Sequence, residues 1–313
     1  MTAIDVSGLT KSYDGFVAND DLTFTVETGE VFGYLGPNGA GKSTTIRTLL
    51  GFQSPTAGSA TLLGHDIRDA RALREAKARI GYLPSEPAVD PTVTGEEFLD
   101  YQGALKGDSR RDELLDLFTP PLEKRIREYS SGNRQMLGIV QAFMHDPDLL
   151  VMDEPTSGLD PLKQETFNAF LRDERDAGKT VFFSSHILGE VRRVCDRVGI
   201  IREGRLVTVE DVETLLERGG KRVHLHTEDP LDESALALDG VVAFERVGRE
   251  AQFTFTGDYN DLLSALADHS VVDIDIEEPP IEEVFMHFYG DGPETTGESE
   301  ATDDAAVGGP SSA

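Results

Sequence analysis

Short hydrophobic runs separated by helical patterns fill the first two thirds of the chain. The runs at 31–35 (VFGYL), 79–83, 149–152, 180–183 and 197–201 are predicted strands. Strands that alternate with helices are typical of an α/β domain with a largely parallel sheet, here expected over residues 1–218. Between residues 94 and 146 the pattern is helical without a strand, which predicts an inserted helical lobe.

The pattern changes after residue 218. Alternating runs predict four strands and helical spacing predicts two helices, so that the order is β-α-β-β-α-β. That order is typical of a small ferredoxin-like α+β sandwich, and we expect one over residues 219–290, ending in a helix at 281–289 (IEEVFMHFY). The strands are expected at 222–227, 241–247, 251–256 and 271–276, and the helices near 232–238 and 259–267.

The last part of the chain, residues 291–313, is rich in Gly, Pro, Ser, Thr and acidic residues and has no aromatic or basic residue. Such a composition cannot bury enough apolar surface to offset the entropy of ordering, so it predicts a disordered acidic tail.

Composition restricts partners and compartment. The 313 residues carry 58 Asp and Glu against 29 Lys and Arg, a formal net charge of −29. This charge repels nucleic acid and anionic lipid, so we expect neither nucleic-acid binding nor direct lipid insertion. The first residues lack the basic-then-apolar pattern of a signal peptide, and no apolar run is long enough to span a bilayer. The single cysteine fits a reducing compartment. These features predict a cytoplasmic protein.

A phosphate-binding pattern follows the predicted strand 31–35. Residues 36–44 read GPNGAGKST, the G-x-x-x-x-G-K-[ST] motif, directly before a helical stretch. Backbone N–H groups of such a loop surround phosphates, the lysine contacts the β and γ phosphates, and the hydroxyl after it ligates Mg²⁺. The predicted nucleotide-binding residues are Gly36, Pro37, Asn38, Gly39, Ala40, Gly41, Lys42, Ser43 and Thr44, with Ser43 also a Mg²⁺ ligand.

Two adjacent carboxylates follow the predicted strand 149–152. Asp153 is expected to hold Mg²⁺, and Glu154 is placed to orient or deprotonate an attacking water. A pair of acids after a strand is by itself most often a turn, but the phosphate loop reverses that preference. A carboxylate directly after the Mg²⁺-binding aspartate favours attack on the phosphate by water. The pair therefore predicts an ATPase rather than a small-molecule kinase.

Further segments resemble the ATP-binding subunit of an ABC transporter, over roughly residues 3–210. YSSGNRQ (129–135) is similar to the family's signature loop, and SGLDP (157–161) is similar to its D-loop. SSHILGE resembles the segment that carries the family's switch histidine, and KSYDGFVA resembles the segment that carries the aromatic residue on which adenine stacks. The resemblance implies a P-loop NTPase fold of the ABC ATPase type. The residues it implies are Ser130, Gly132 and Asp160 for contacts across a dimer, His186 for the γ phosphate or water, and Tyr13 for adenine.

Two segments depart from the family pattern. Ser85 stands where the family usually has a metal-sensing glutamine, with Glu86 beside it, and the signature loop has Tyr129, Ser131 and Asn133 in place of the commonest residues. The ending IEEVFMHFY resembles an exporter-like branch with an extra C-terminal domain. The acid-rich, lysine-poor composition resembles proteins of extreme halophiles.

We therefore expect an ATP-hydrolysing subunit at the inner face of the cell membrane, which drives a separate integral membrane permease and moves substrate outward. Two nucleotide-binding subunits would close over two ATP molecules, as a homodimer or a heterodimer. Two alternatives stay open: a soluble ABC ATPase that acts on DNA or ribosomes, and a regulatory half of a heterodimeric transporter.

Overall fold

The computed structural model describes residues 1–277 apart from residues 88, 233–235, 237 and 268. By its internal contacts the chain divides into two units, the first spanning Met1–Arg218 and the second beginning at Gly219.

The first unit contains two sheets. The strands are β1 (Thr2–Tyr13), β2 (Phe16–Glu27), β3 (Val31–Leu35), β4 (Ala57–Leu62), β5 (His65–Asp66), β6 (Ile80–Leu83), β7 (Leu149–Asp153), β8 (Thr180–Ser185), β9 (Arg197–Arg202) and β10 (Arg205–Asp211).

The smaller sheet has the order β2-β1-β4-β5, with antiparallel neighbours, and the larger has the order β10-β9-β3-β8-β7-β6. In the larger sheet β9, β3, β8, β7 and β6 are parallel, and β10 is antiparallel to β9.

Helices connect these strands. They are α1 (Lys42–Leu49), α2 (Ala70–Lys77), α3 (Gly95–Lys106), α4 (Arg111–Phe118), α5 (Ser131–Phe143), α6 (Pro161–Asp176), α7 (Leu188–Val194) and α8 (Val212–Gly219). The strands predicted within the parallel sheet are present, with ends that differ by one or two residues. The segment predicted to be helical contains α3, α4 and α5, with an isolated bridge between Thr94 and Arg125.

Apolar packing joins the two sheets. Phe24 of the smaller sheet lies against Phe32, Tyr34 and Phe182 of the larger sheet, with ring centroids 5.6 to 6.0 Å from Phe24. All five residues of β3 are buried. A parallel strand covered on both faces reads as a continuous apolar run, which is why the sequence reveals β3 so clearly. The site described below lies at the end of this buried strand.

The described part of the second unit contains four strands and a helix: β11 (Lys221–Thr227), β12 (Val241–Val247), β13 (Glu250–Phe255), α9 (Tyr259–Leu266) and β14 (Val271–Glu277). The strands form an antiparallel sheet with the order β12-β13-β11-β14. Val223, Phe253 and Leu262 belong to one buried cluster, so α9 shares a core with this sheet. Most of the helix predicted near 232–238, the final helix at 281–289 and the tail from 291 lie outside the described residues.

Candidate functional site

The phosphate loop, residues 36–44, connects the carboxyl end of β3 to the first turn of α1. Gly36 follows the strand and donates its N–H to the Ser185 carbonyl at 3.2 Å. Gly41 is the N-cap of α1 and has φ of 105°. A side chain would not fit at either glycine, because a Cβ on Gly36 would lie 2.4 Å from the Ile201 carbonyl oxygen and one on Gly41 would lie 2.6 Å from that of Ala18. The sequence is therefore built for this close backbone path.

Lys42 lies back over the loop that precedes it. Its side chain is only 5% exposed, and Nζ donates to the carbonyl oxygens of Gly36 at 2.6 Å and Pro37 at 3.2 Å. Burial lowers the pKa of Lys42, and the carboxylates of Glu154 and Asp153 partly offset that effect. The ammonium group is thus held at the mouth of the loop, where an anion would meet it.

The two carboxylates, Asp153 and Glu154, lie at the carboxyl end of β7 in the same sheet. Asp153 is the last residue of β7, is buried, and accepts a hydrogen bond from Ser184 Oγ on the neighbouring strand β8. Glu154 has φ of 50°, and its N–H lies 3.1 Å from the Ser184 carbonyl oxygen and 3.2 Å from Ser184 Oγ. Ser184 therefore fixes the directions in which both acids leave the strand.

Glu154 connects the lysine to a histidine. Its Oε1 atom lies 3.7 Å from Lys42 Nζ and 3.2 Å from His186 Nδ1. Lys42 begins α1 after the loop that follows β3, whereas Glu154 and His186 directly follow β7 and β8. The strands β3, β8 and β7 are neighbours in the sheet. A cation, a carboxylate and an imidazole converge at the carboxyl edge of a parallel sheet, where α/β proteins bind their ligands.

A cavity of about 180 Å³ lies along the phosphate loop. The first N–H groups of a helix have no partner within the helix and carry a partial positive charge, so this wall of the cavity suits an anion. Most of the nucleotide-binding residues predicted from sequence line it. The lining residues are Phe16, Ala18, Pro37, Asn38, Gly39, Ala40, Gly41, Lys42, Ser43, Thr44 and Glu154.

Tyr13, the predicted adenine-stacking residue, does not line this cavity. Its hydroxyl donates to Gln53 Oε1, and the Lys11 ammonium lies 4.8 Å from the centroid of its ring. Gln53 in turn donates to the Thr44 carbonyl oxygen at 3.0 Å, so Tyr13 is linked to the start of α1. The aromatic residue that lines the cavity is Phe16, which is 67% exposed. Sequence reasoning missed Phe16 because two aromatics three residues apart give no signal of which one faces the loop.

Ser130, Gly132 and Asp160 lie apart from the phosphate-loop cavity within one chain. Ser130 is the N-cap of α5, with Oγ accepting from the Asn133 N–H at 3.2 Å, and a Cβ on Gly132 would lie 2.7 Å from the Gly158 carbonyl oxygen. Asp160 is the N-cap of α6, and the hydrogen bond from the Lys163 N–H lowers the pKa of its carboxyl. The predicted signature loop and D-loop therefore pack on each other.

A second cavity, of about 470 Å³, lies beside these loops. Its lining includes Ser85 and Glu86 from the loop after β6, together with Ser131, Arg134 and Ser157. The segment that departs from the family's glutamine pattern thus shares a cleft with the start of α5.

Three side chains outside the segment 153–156 hold it in place, and sequence reasoning missed all of them. Ser184 bonds Asp153 and Glu154, Gln135 donates to the Pro155 carbonyl oxygen at 2.7 Å, and Glu190 accepts a hydrogen bond from Thr156. They come from β8, α5 and α7, which are distant in the sequence. Nothing local to these residues marks them, because their roles depend on which elements are neighbours.

Comparison with known proteins assigns the family. Residues 19–157 match the ABC transporter family. Over 301 residues the chain is 34% identical to the Nod factor export ATP-binding protein I of Rhizobium johnstonii, covering 92% of this chain and 95% of that protein. The chain belongs to the ABC transporter ATP-binding proteins.

Solved structures agree with this ABC assignment. A structure described as an ATP-binding subunit of an ABC transporter is 30% identical, with a TM-score of 0.63 over 69% of this chain and 93% of that one. A dimeric ATP-binding cassette in a post-hydrolysis state, bound to ADP and Pi, shares the fold at 22% identity, with a TM-score of 0.62 over 67% of this chain and 98% of that one.

As an ABC ATPase, the chain binds and hydrolyses ATP. The phosphate loop, the paired acids and the histidine identified from sequence are brought together at one edge of its sheet. Within the described residues, no helix is both long enough and apolar enough to cross a membrane.

Proposed function

We propose that this ATPase subunit works as one of two nucleotide-binding subunits that close over two ATP molecules and drive a separate permease as an exporter. The observation that carries the catalytic part is the convergence of Lys42, Glu154 and His186 beside the phosphate-loop cavity. A solvent-accessible carboxylate between a cation and an imidazole is the arrangement required to hold and activate a water beside a γ phosphate.

The hydrogen-bond donors of the phosphate loop suit a nucleoside triphosphate with Mg²⁺. The N–H groups of residues 41–44, at the start of α1, would bind the phosphates, and Lys42 would exchange its carbonyl acceptors for β and γ phosphate oxygens. Ser43 and Asp153 offer the oxygen ligands that Mg²⁺ prefers, and Ser184 holds one oxygen of Asp153. Mg²⁺, when bound, would neutralise phosphate charge.

Glu154 and His186 would act on the attacking water. Glu154 is 25% exposed and therefore accessible to a water in the cavity, and His186 Nδ1 lies close enough to orient its carboxylate. The carboxylate would accept a hydrogen bond or a proton from the water while the loop holds the phosphate. The phosphate loop alone would leave the nucleophile without this orientation.

The signature residues require a second chain. Ser130 and Gly132 do not line the phosphate-loop cavity of their own subunit, and they lie at the start of α5, an end that favours an anion. In a head-to-tail dimer they would reach the γ phosphate bound by the partner, with Asp160 at the contact between the subunits. The dimer known for the similar cassette with ADP and Pi supports this arrangement. A homodimer satisfies it, and so does a heterodimer.

The name of the relative that matches over most of both chains, a Nod factor export ATP-binding protein, supports outward transport. A subunit that drives a permease with ATP would lie peripherally at the inner face of the membrane. We assign the permease contact to the surface near Glu86–Phe98, because Ser85 and Glu86 line an open cleft beside α5. A permease segment in this cleft would touch both the loop that follows β6 and α5, the helix whose start would face the ATP bound by the partner subunit.

The remaining regions complete the proposal. Residues 1–218 would form the nucleotide-binding domain, and an accessory domain would begin at residue 219. The sheet order β12-β13-β11-β14 supports a ferredoxin-like accessory domain, because pairing of the first strand with the third and the fourth is the arrangement of that sandwich. The excess of acidic residues would suit a surface that works in concentrated salt.

A substitution at Glu154 tests the catalytic assignment. Glu154→Gln removes the base but keeps the size of the side chain and one acceptor oxygen, so ATP binding should persist while turnover falls about 100-fold or more. The unhydrolysed ATP should also hold two subunits together. Size-exclusion chromatography with and without ATP, together with phosphate release, measures both effects.

Glu75→Gln is the matched control, since Glu75 is an exposed residue on α2. It should behave like the parent protein in both assays. Hydrolysis by Glu154→Gln at the parent rate would show that the base is another group.

Crosslinking tests the transport assignment. A photoreactive residue at position 86 of the full chain, in membranes from cells that express it, should form an adduct with a protein that has membrane-spanning helices. The same probe at exposed Glu75 should not form it. Adducts from position 86 only with ribosomal proteins or DNA would contradict transport and favour the soluble ABC ATPase instead.

A further inference from the structure

Glu190 is a buried acid that the proposed mechanism does not use. It lies in the first turn of α7 and is 8% exposed. A buried carboxylate is costly unless its oxygens accept hydrogen bonds. Oε1 accepts from Thr156 Oγ1, and Oε2 accepts from Ser185 Oγ at 2.7 Å. Both donors are themselves buried, so the three side chains form a link shielded from solvent.

The two donors belong to the two segments that carry the proposed catalytic groups. Thr156 follows Glu154 by two residues, and Ser185 directly precedes His186. Ser185 Oγ also accepts from the Ile187 N–H at 3.0 Å, which leaves its own hydrogen for Glu190 and fixes the turn after β8. One carboxylate therefore joins the loop after β7 to the loop after β8.

Packing alone does not hold the side chains of Glu154 and His186 in place. Glu154 is 25% and His186 is 45% exposed, yet Nδ1 of the histidine lies 3.2 Å from the carboxylate. Exposed side chains keep such a contact only if their backbones are held at the right separation. We propose that Glu190 is a positioning residue for hydrolysis, which fixes the separation of Glu154 and His186 through Thr156 and Ser185. The inference rests on the proposed function, in which those two residues act on the attacking water.

A role confined to the stability of α7 predicts different contacts. An acid in the first turn favours the positive end of the helix, and capping would direct it to a free N–H of its own helix. Here both oxygens instead bond hydroxyl groups of other segments. The geometry thus favours a link between segments.

Two substitutions at position 190 separate these roles. Glu190→Ala breaks both bonds, and a displacement of about 1 Å in the groups it positions is expected to lower kcat roughly 10- to 100-fold. KM for ATP should stay within about twofold, because the substitution leaves the phosphate loop intact. Glu190→Gln should restore most of kcat, since hydroxyl groups accept as well as donate and both links can re-form. All rates are taken per nucleotide-binding site in the full chain.

Milder variants and a control guard against a protein that simply unfolds. Thr156→Val and Ser185→Ala each remove one link and should each give part of the loss in kcat. Glu174→Ala is the control, because Glu174 is a buried acid on α6 bonded to Arg110. It should lower the melting temperature with kcat per site unchanged. Equal loss of kcat in the Glu174 and Glu190 variants would overturn the proposal.

A double mutant tests the route of the effect. If Glu190 acts through the catalytic pair, Glu190→Ala should cost less than about twofold in a His186→Ala background, because groups that act as a unit are not additive. A loss in that background as large as in the parent would overturn the proposal.

Nuclear magnetic resonance keeps this inference separate from the proposed function. In protein with labelled histidines, the His186 signal, assigned from His186→Ala, should shift in Glu190→Ala and stay in place in Glu174→Ala. A parent protein that hydrolyses no ATP would defeat the proposed function, whereas an unmoved His186 signal in Glu190→Ala would defeat the positioning role.

Discussion

The glycines of the phosphate loop are constrained by different physics at different positions. Gly39 and Gly41 both have positive φ, at 83° and 105°. A Cβ on Gly39 would meet no heavy atom within 4 Å, whereas one on Gly41 would lie 2.6 Å from the Ala18 carbonyl oxygen and from Asn19 Nδ2. Asn19 is fully buried and donates to the Gly41 carbonyl oxygen, so it has no free space into which to move.

This difference predicts unequal costs for the same substitution. Gly39→Ala should lose about 1–2 kcal/mol of unfolding free energy from left-handed strain, while Gly41→Ala should lose about 1–3 kcal/mol more from overpacking. Denaturant unfolding without nucleotide measures both.

Gly178→Ala is the control for strain alone, because Gly178 has φ of 85° and a Cβ there would meet no heavy atom within 4 Å. It should match Gly39→Ala. Equal losses for Gly39→Ala and Gly41→Ala would contradict the packing argument.

Motif residues in the predicted signature loop and D-loop also have local roles. Ser130 and Asp160 are the N-caps of α5 and α6, and Pro161 follows Asp160 at the first helical position. Side chains of these types accept a hydrogen bond from the helix start and Pro fits the first turn. A sequence motif can therefore report a helix cap as well as a ligand contact, and only the geometry separates the two.

At the scale of elements, burial explains which strands were predictable. The strands β3, β7 and β8 are buried along their whole length, and each contains an uninterrupted apolar run: VFGYL, LLVM and VFF. The strands β1 and β2 were not predicted, although each has twelve residues. Their pairing contains register shifts, among them one between Val6 and Leu9, which interrupt the alternation of apolar and polar positions. Periodicity fails where bulges break it.

The same contrast holds for the site. The phosphate loop, the paired acids and the histidine each follow a strand, so their local patterns were readable without the strand order. Ser184, Thr156 and Glu190 became relevant only through the adjacency of β7, β8 and α7. The sequence thus predicts the groups proposed to touch the ligand, while the groups that hold them depend on tertiary contacts that no local pattern encodes.

At the scale of the whole molecule, acidic residues outnumber basic ones by two to one, 58 against 29, so at least half of the carboxylates have no basic side chain to match them. Exposed ion pairs such as Arg68 with Asp66 and Arg71 with Glu75 contribute only about 0–1 kcal/mol each and weaken in salt. The unmatched acids repel one another in the folded state more than in the expanded chain, and this effect also weakens in salt. With so large an excess, repulsion should dominate the response.

Stability should therefore rise with ionic strength. The Debye length falls from about 10 Å at 0.1 M salt to about 3 Å at 1 M, shorter than most distances between surface carboxylates. We expect the melting temperature, followed by circular dichroism, to increase from dilute to molar KCl. Sucrose at the same osmolality is the control, because it favours compact states without screening charge. A melting temperature equal in dilute and molar KCl, or raised as much by sucrose as by KCl, would show that charge repulsion does not limit this fold.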